Sequence, residues 1–238
     1  MNIAVILAGV VGSRIGASVP KQFIEVFDKP IIAYTIDIFQ QHALIDEIEV
    51  VCVESHIKLL KSVVEQYRLS KVNRIIAGGK DFQHSVINGV DNLRGVLSDE
   101  DIVLIHYAAS PFVTDDIITD CIRVTTEKGN CVSATPCHLL YGSNDDGQKS
   151  SRWVDRDKIM QLNSPQCFKF GYVTQLYDEA IDRKLIDRVE PHTTSLMYAM
   201  GRTIYFAKGN QTNIKITTPE DIELFRGLIL LKKMQVHV

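Results

Sequence analysis

Nothing in the cysteines of this chain suggests a disulfide framework or a zinc site. The five, Cys52, Cys121, Cys131, Cys137 and Cys167, are an odd number with no C-x-x-C pair, so the sequence predicts reduced thiols. Its seven histidines are scattered and form no H-x-x-x-H pair, which argues against a built-in transition-metal centre. Neither sign of charge dominates: 26 Lys and Arg stand against 29 Asp and Glu, a net charge of −3. A counterion-releasing nucleic-acid binder is therefore not expected, and any anion site must be local. No run approaches the roughly 20 apolar residues of a membrane span. The opening residues Met1 to Leu7 have neither the basic stretch nor the cleavage site of a secretory signal, so a cytoplasmic location without membrane contact is expected. Repeats, low-complexity tracts and Pro/Ser-rich linkers are missing too, which predicts a single domain over residues 1–238.

What the chain does have is rhythm. Short apolar or β-branched runs at Ile3 to Leu7, Ile48 to Val53, Arg74 to Ala77, Ile102 to His106 and Cys131 to Ala134 read as strands covered on both faces. Between them, apolar residues recur at helical spacing: Ile31, Tyr34, Ile38 and Phe39, then Leu59, Leu60, Val63, Val64 and Tyr67, then Val86, Val90 and Leu93, a helix that Ser85 is expected to open as an N-terminal polar residue. The alternation predicts an α/β fold, a Rossmann-like, mostly parallel sheet with helices on both faces. After Ala134 the rhythm changes. The turn-forming cluster Gly142 to Gly147, followed by Arg152, Trp153 and Val154, predicts a hairpin on a β-arm projecting over about residues 135–155. Helices at Tyr172 to Arg183 and Thr194 to Met200, strands at Thr203 to Ala207 and Asn213 to Ile216, and a helix from Pro219 with Thr218 as N-cap complete the expected order.

The segment Leu7-Ala8-Gly9-Val10-Val11-Gly12-Ser13-Arg14-Ile15-Gly16 stands where the first strand turns at its carboxyl end, the edge at which open α/β sheets bind ligands. Glycines there allow close backbone approach, loop N–H groups can cradle phosphate oxygens, and Arg14 offers a charged fork. The spacing matches neither the dinucleotide fingerprint nor the P-loop, which disfavours a dinucleotide oxidoreductase. Shortly after comes Pro20-Lys21-Gln22, whose lysine can neutralise charge developing in phosphoryl or nucleotidyl transfer.

Taken together, L-A-G-x-x-G-S-R, P-K-Q and the run Asn213-Ile214-Lys215-Ile216-Thr217-Thr218-Pro219-Glu220-Asp221 resemble the cytidylyltransferases acting on ribitol 5-phosphate or 2-C-methyl-D-erythritol 4-phosphate. The resemblance extends from about Ile3 to Leu224. It includes Gly78-Gly79 followed by Ser85, His106 and Pro111, Val154-Asp155-Arg156 and Ser164-Pro165-Gln166. It implies CTP bound at the carboxyl edge of the sheet, an acceptor phosphate that attacks the α-phosphate, Mg²⁺ assistance, and a homodimer built through the arm. By the same resemblance Arg14, Lys21 and Lys215 are the catalytic cations. Leu7, Ala8, Gly9, Gly12, Gly79 and Ser85 hold the nucleotide, and Arg156 binds the acceptor phosphate. Ribitol 5-phosphate is the first-choice acceptor, methylerythritol phosphate the second.

The chain also departs from the family pattern. Val10 stands for a glycine, His106-Tyr107-Ala108-Ala109-Ser110-Pro111 replaces H-D-A-x-R-P, and Phe82 occupies a position where arginine is common. Tyr107 removes a hard oxygen ligand, so Mg²⁺ is expected to arrive mainly with the triphosphate and no residue is assigned to metal. The alternative reading is a catalytically impaired nucleotide-binding or assembly protein that keeps the fold.

Overall fold

The structure is a computed structural model that describes residues 1–9 and 19–235. Its centre is a seven-stranded sheet in the order β11-β7-β10-β6-β1-β4-β5. The strands are β1 (Asn2–Ala8), β4 (Glu47–Cys52), β5 (Val72–Ala77), β6 (Ile102–Tyr107), β7 (Asn130–Pro136), β10 (Met160–Lys169) and β11 (Phe206–Lys208). Strands β6, β1, β4 and β5 run parallel. Strand β10 enters antiparallel between β6 and β7, and β11 closes the edge parallel to β7.

Side chains alternate across a strand, and β1 shows the consequence. Ala4, Ile6 and Ala8 face one layer, Ile3, Val5 and Leu7 the other. Helices α1 (Ile31–Gln41), α2 (Ile57–Gln66) and α4 (Asp115–Lys128) cover the first face. Helices α3 (Phe82–Asn92), α5 (Phe170–Asp182) and α6 (Thr193–Ala199) cover the second. Each buried Ile, Val or Leu contributes roughly 1.5–3 kcal/mol of transfer free energy, so continuous apolar strands are what a two-sided sheet requires. The last helix, α7 (Pro219–Gln235), seats Ile222, Phe225 and Ile229 on Ile31, Ala109, Phe112 and Ile216. The Asp221 carboxylate reaches back to accept the Thr217 and Thr218 backbone N–H groups at 2.7 and 2.8 Å, satisfying donors at the helix start. No described helix is long and apolar enough to cross a membrane.

Two ribbons complete the fold, β2 (Glu25–Val26) with β3 (Lys29–Pro30), and β8 (Tyr141–Gly142) with β9 (Trp153–Val154). The second is the expected hairpin, with Tyr141 opposite Val154 and Gly142 opposite Trp153. Three expectations need correction. Thr135 is not in the arm: it is buried within β7, and the chain leaves the sheet only after Pro136. Residues 213–216 form no strand: the Asn213 and Ile214 N–H groups bond locally to the Asn210 and Thr212 carbonyls, and the Ile216 N–H bonds to the Ala109 carbonyl at 2.8 Å, in place of a ladder. The α2 stripe overreached as well, since Leu59 faces solvent while Ile32 and Ile36 of α1, not singled out, are fully buried.

Glu49 is the one carboxylate fully buried in the central strands, on β4 facing α3. Asn92 donates to its Oε2 at 2.6 Å and Oε1 has no partner among the described residues. Burial raises its pKa to about 7. A raised carboxyl pKa means the native state holds a proton that the unfolded state releases, so this contribution to stability is full below pH 4.5 and is lost as pH rises to about 7. The loss amounts to about 3 kcal/mol by linkage. Denaturant titrations from pH 4.5 to 8 should show Glu49→Gln without that decline, and parallel profiles for the two proteins would refute it.

Candidate active site

The carboxyl ends of β1, β4, β5 and β6 meet in one corner. Gly78 N–H donates to the Cys52 carbonyl at 2.8 Å, and a Cβ on Gly78 would lie 3.0 Å from Gly9 Cα. A Cβ on Gly79 would lie 2.7 Å from the His84 backbone carbon, so these glycines are there for close backbone approach. Ser85 does not open α3, as its position suggested. Asp81 is the N-cap, its carboxylate accepting the His84 N–H at 2.9 Å. The buried Ser85 hydroxyl donates to the Asp81 carbonyl at 2.8 Å and accepts the Gly79 N–H at 3.1 Å. It therefore frames the Gly78–Gly79 turn. Leu7 and Ala8 end β1 and Gly9 follows, all at this corner. Gly12, Arg14 and the departure at Val10 lie outside the described residues.

Lys21 and Lys215 are brought together from opposite ends of the sequence. Lys21 Nζ donates to the Ile216 carbonyl at 2.7 Å, which places its ammonium beside the Lys215 segment. Its neighbour Gln22, which sequence reasoning passed over, is buried and donates from Nε2 to the Ala8 carbonyl at 2.8 Å. The P-K-Q run is thereby fastened to both the end of β1 and the N-I-K-I run. Beside them the Tyr107–Ser110 turn is held by Ser110 N–H to the Tyr107 carbonyl, Thr35 Oγ1 to the Ala108 carbonyl at 2.8 Å, and His106 Nε2 to the Ser110 carbonyl at 2.9 Å. Burial pushes the His106 imidazole down to about 4, leaving it a neutral structural donor at neutral pH.

Tyr107 forms the floor of a cavity of about 310 Å³. Lys215 Nζ lies 4.3 Å from the centroid of its ring, a favourable cation–π separation. Behind it Phe82 packs against both Tyr107 and His192, with centroids 5.3 and 5.1 Å apart. Phe82 thus completes an aromatic cluster where the family pattern often has a cation. Burial, aided by the Glu190 carboxylate, pushes the Tyr107 phenol up to about 12, so it stays neutral. Burial first, and then Lys215, lower the pKa of His192. The remaining wall comes from β10. Between Leu162 and Gln166 its register with β7 shifts, the three residues 163–165 of β10 standing against the single residue Ser133 of β7. Such a bulge takes residues out of the ladder and re-aims them, here Asn163 and Ser164 into the cavity lining.

Arg156 is elsewhere. It is exposed in the short 3₁₀ turn after β9, donates to the His138 carbonyl at 3.2 Å, and does not line the cavity. The neighbouring Asp155 pairs with Lys158 instead.

Lys21 and the Lys215 segment thus meet at the carboxyl edge of a mostly parallel sheet, with Lys215 lining a polar cavity. The pattern of the 2-C-methyl-D-erythritol 4-phosphate cytidylyltransferase family, IspD, runs through residues 2–230. The chain belongs to this family. It is 33% identical over 234 residues to the ribitol-5-phosphate cytidylyltransferase of Lacticaseibacillus paracasei, which spans 98% of this chain and 100% of the relative. It is 35% identical over 234 residues to the 2-C-methyl-D-erythritol 4-phosphate cytidylyltransferase of Clostridium botulinum type A, 98% of each chain. The crystal structure of the Anaerococcus prevotii 4-diphosphocytidyl-2C-methyl-D-erythritol synthase shares its fold, with a TM-score of 0.79 and 21% identity over 96% of this chain and 98% of that one. This cytidylyltransferase is accordingly a nucleotidyltransferase with the α/β sheet its sequence implied.

Proposed function

We propose that this cytidylyltransferase joins CTP to ribitol 5-phosphate and releases pyrophosphate. The observation that carries the choice of a polyol acceptor lies in the cavity wall. Three buried amide atoms of lining residues, Asn163 Nδ2, Gln166 Oε1 and Asn213 Oδ1, have no hydrogen-bond partner among the described residues. Buried polar groups left unpaired cost about 1–3 kcal/mol each, and a chain of hydroxyls, each both donor and acceptor, satisfies amide donors and acceptors alike. The Glu190 carboxylate in the same wall disfavours an anionic tail. The relatives named as ribitol-5-phosphate cytidylyltransferases support ribitol over methylerythritol.

In this reading an acceptor phosphate oxygen attacks the α-phosphorus of CTP, the bond to the β-phosphate oxygen breaks, and pyrophosphate leaves. Lys21 and Lys215 stabilise the charge that develops, Arg14 grips the polyphosphate, and Leu7, Ala8, Gly9, Gly12 and Gly79 shape the nucleotide corner that Ser85 braces. Positioning and fixed cations suffice for such a transfer. Mg²⁺ does not find a protein ligand at the end of β6, where a neutral phenol stands and Asp81 is committed to its cap. We assign the metal to the triphosphate. The molecule acts as a homodimer through the arm, whose Leu139, Leu140, Tyr141 and Trp153 are exposed. Arg156, remote from the cavity of its own chain, meets the acceptor phosphate in its partner's. The reading carries a cytoplasmic location, where thiols stay reduced.

Pyrophosphate release with CTP and a panel of acceptors tests this. Ribitol 5-phosphate should give the highest kcat/KM, and analogues lacking one hydroxyl should lose at least about a hundredfold, because a site built to bond a hydroxyl rejects its absence. Turnover with no acceptor in the panel, despite CTP binding, would favour the impaired binding protein instead.

A further inference from the structure

Three of the five cysteines share one place. Cys121 of α4, Cys131 of β7 and Cys167 of β10 have sulfur atoms all within 4.8 Å of one another, and all three are buried in the same core layer. Cys131 and Cys167 are direct partners across the antiparallel pair, and α4 lays Cys121 over them. The thiol of Cys131 also lies 3.3 Å from Thr125 Oγ1 and donates to the Cys121 carbonyl at 3.3 Å. Nothing in the transferase chemistry uses this cluster. Its spacing escaped the sequence because the three residues are 10 and 36 positions apart and only the strand pairing unites them.

We propose that this cluster is a binding site for trivalent arsenic, taken up as arsenous acid. Three convergent sulfurs select a soft, thiophilic centre of low coordination number. Charge then decides among such centres. A divalent ion on three thiolates leaves a net negative charge in an apolar core, where Cys121, Cys131 and Cys167 share a layer with Ile117, Ile118 and other aliphatic side chains and the Asp120 carboxylate already disfavours further negative charge on Cys121 and Cys131. Burying an unpaired charge is prohibitive. Arsenous acid enters uncharged and its trithiolate is uncharged. Three S–H bonds and three As–OH bonds break, three As–S bonds form, and each hydroxyl leaves as water with a thiol proton. Arsenic remains trivalent throughout, so no oxidant or reductant is consumed.

The test is intact-mass analysis of native, reduced enzyme incubated with arsenite. One arsenic per chain with the loss of three hydrogens is expected. Alkylation after unfolding should then find Cys52 and Cys137 modified and Cys121, Cys131 and Cys167 protected, a map that needs no variant. Cys131→Ala should abolish uptake by the folded protein, while Cys137→Ala retains it. Cadmium at the same concentration should leave all five thiols open to alkylation. No arsenic on the folded chain, protection of a different set of cysteines, uptake by Cys131→Ala equal to wild type, or equal protection by cadmium would each overturn the assignment.

Discussion

Lys215→Ala lowers kcat for pyrophosphate release by about a hundredfold or more, with the melting temperature unchanged. The side chain is exposed and lies over the Tyr107 ring, so its removal opens no cavity in the core. On the proposed role its charge acts in the transition state. Lys21→Ala should fall in kcat as far, and should also raise KM for both substrates. Its ammonium ties the P-K-Q run to the Ile216 carbonyl, and releasing that tie loosens the corner against which the nucleotide packs. A Lys215→Ala enzyme with unchanged kcat would remove this lysine from the mechanism. Equal kcat with a changed KM would make it a ground-state binding group only.

Mixing two inactive variants restores activity if the arm works across a dimer. Arg156→Ala and Lys215→Ala should each be close to inactive alone. After subunit exchange, half of the dimers pair one of each, and one of their two sites then holds an intact Lys215 with an intact Arg156. Because a two-fold interface is self-complementary, the mixture should reach about a quarter of wild-type activity. Trp153→Ala, which removes an exposed aromatic anchor, should weaken the dimer in sedimentation and lower the restored activity with it. No recovery in a demonstrably mixed population would confine Arg156 to its own chain.

The sheet was legible because its strands are apolar on both faces, a pattern that few other arrangements tolerate, and β1, β4 and β6 fall within a residue or so of the runs that predicted them. The hairpin was legible because turn chemistry is local. Other features depend on contacts that no local pattern records. Residues 213–216 look like a strand by composition, yet Ile216 finds Ala109 instead of a ladder. Ser85 reads as a helix cap until Asp81 is seen to hold that position. The polar wall of the cavity needed the β10 bulge, whose extra residues become visible only against the register of β7. Lys21 and Lys215 were legible through family motifs, whereas Gln22, the group that fastens them to β1, is an ordinary polar residue until its buried bond is seen.

The tie between Lys21 and Ile216 spans 195 positions of sequence. Contacts of such separation form late, after the loop-closure entropy of the whole chain has been met. A nascent polypeptide that has emerged as far as β6 can therefore pair the four parallel strands β6, β1, β4 and β5 and still lack the contact between Lys21 and Ile216. On the proposed roles of Lys21 and Lys215, turnover waits until the segment around residue 215 has been made and docked, so activity serves as a readout of late folding.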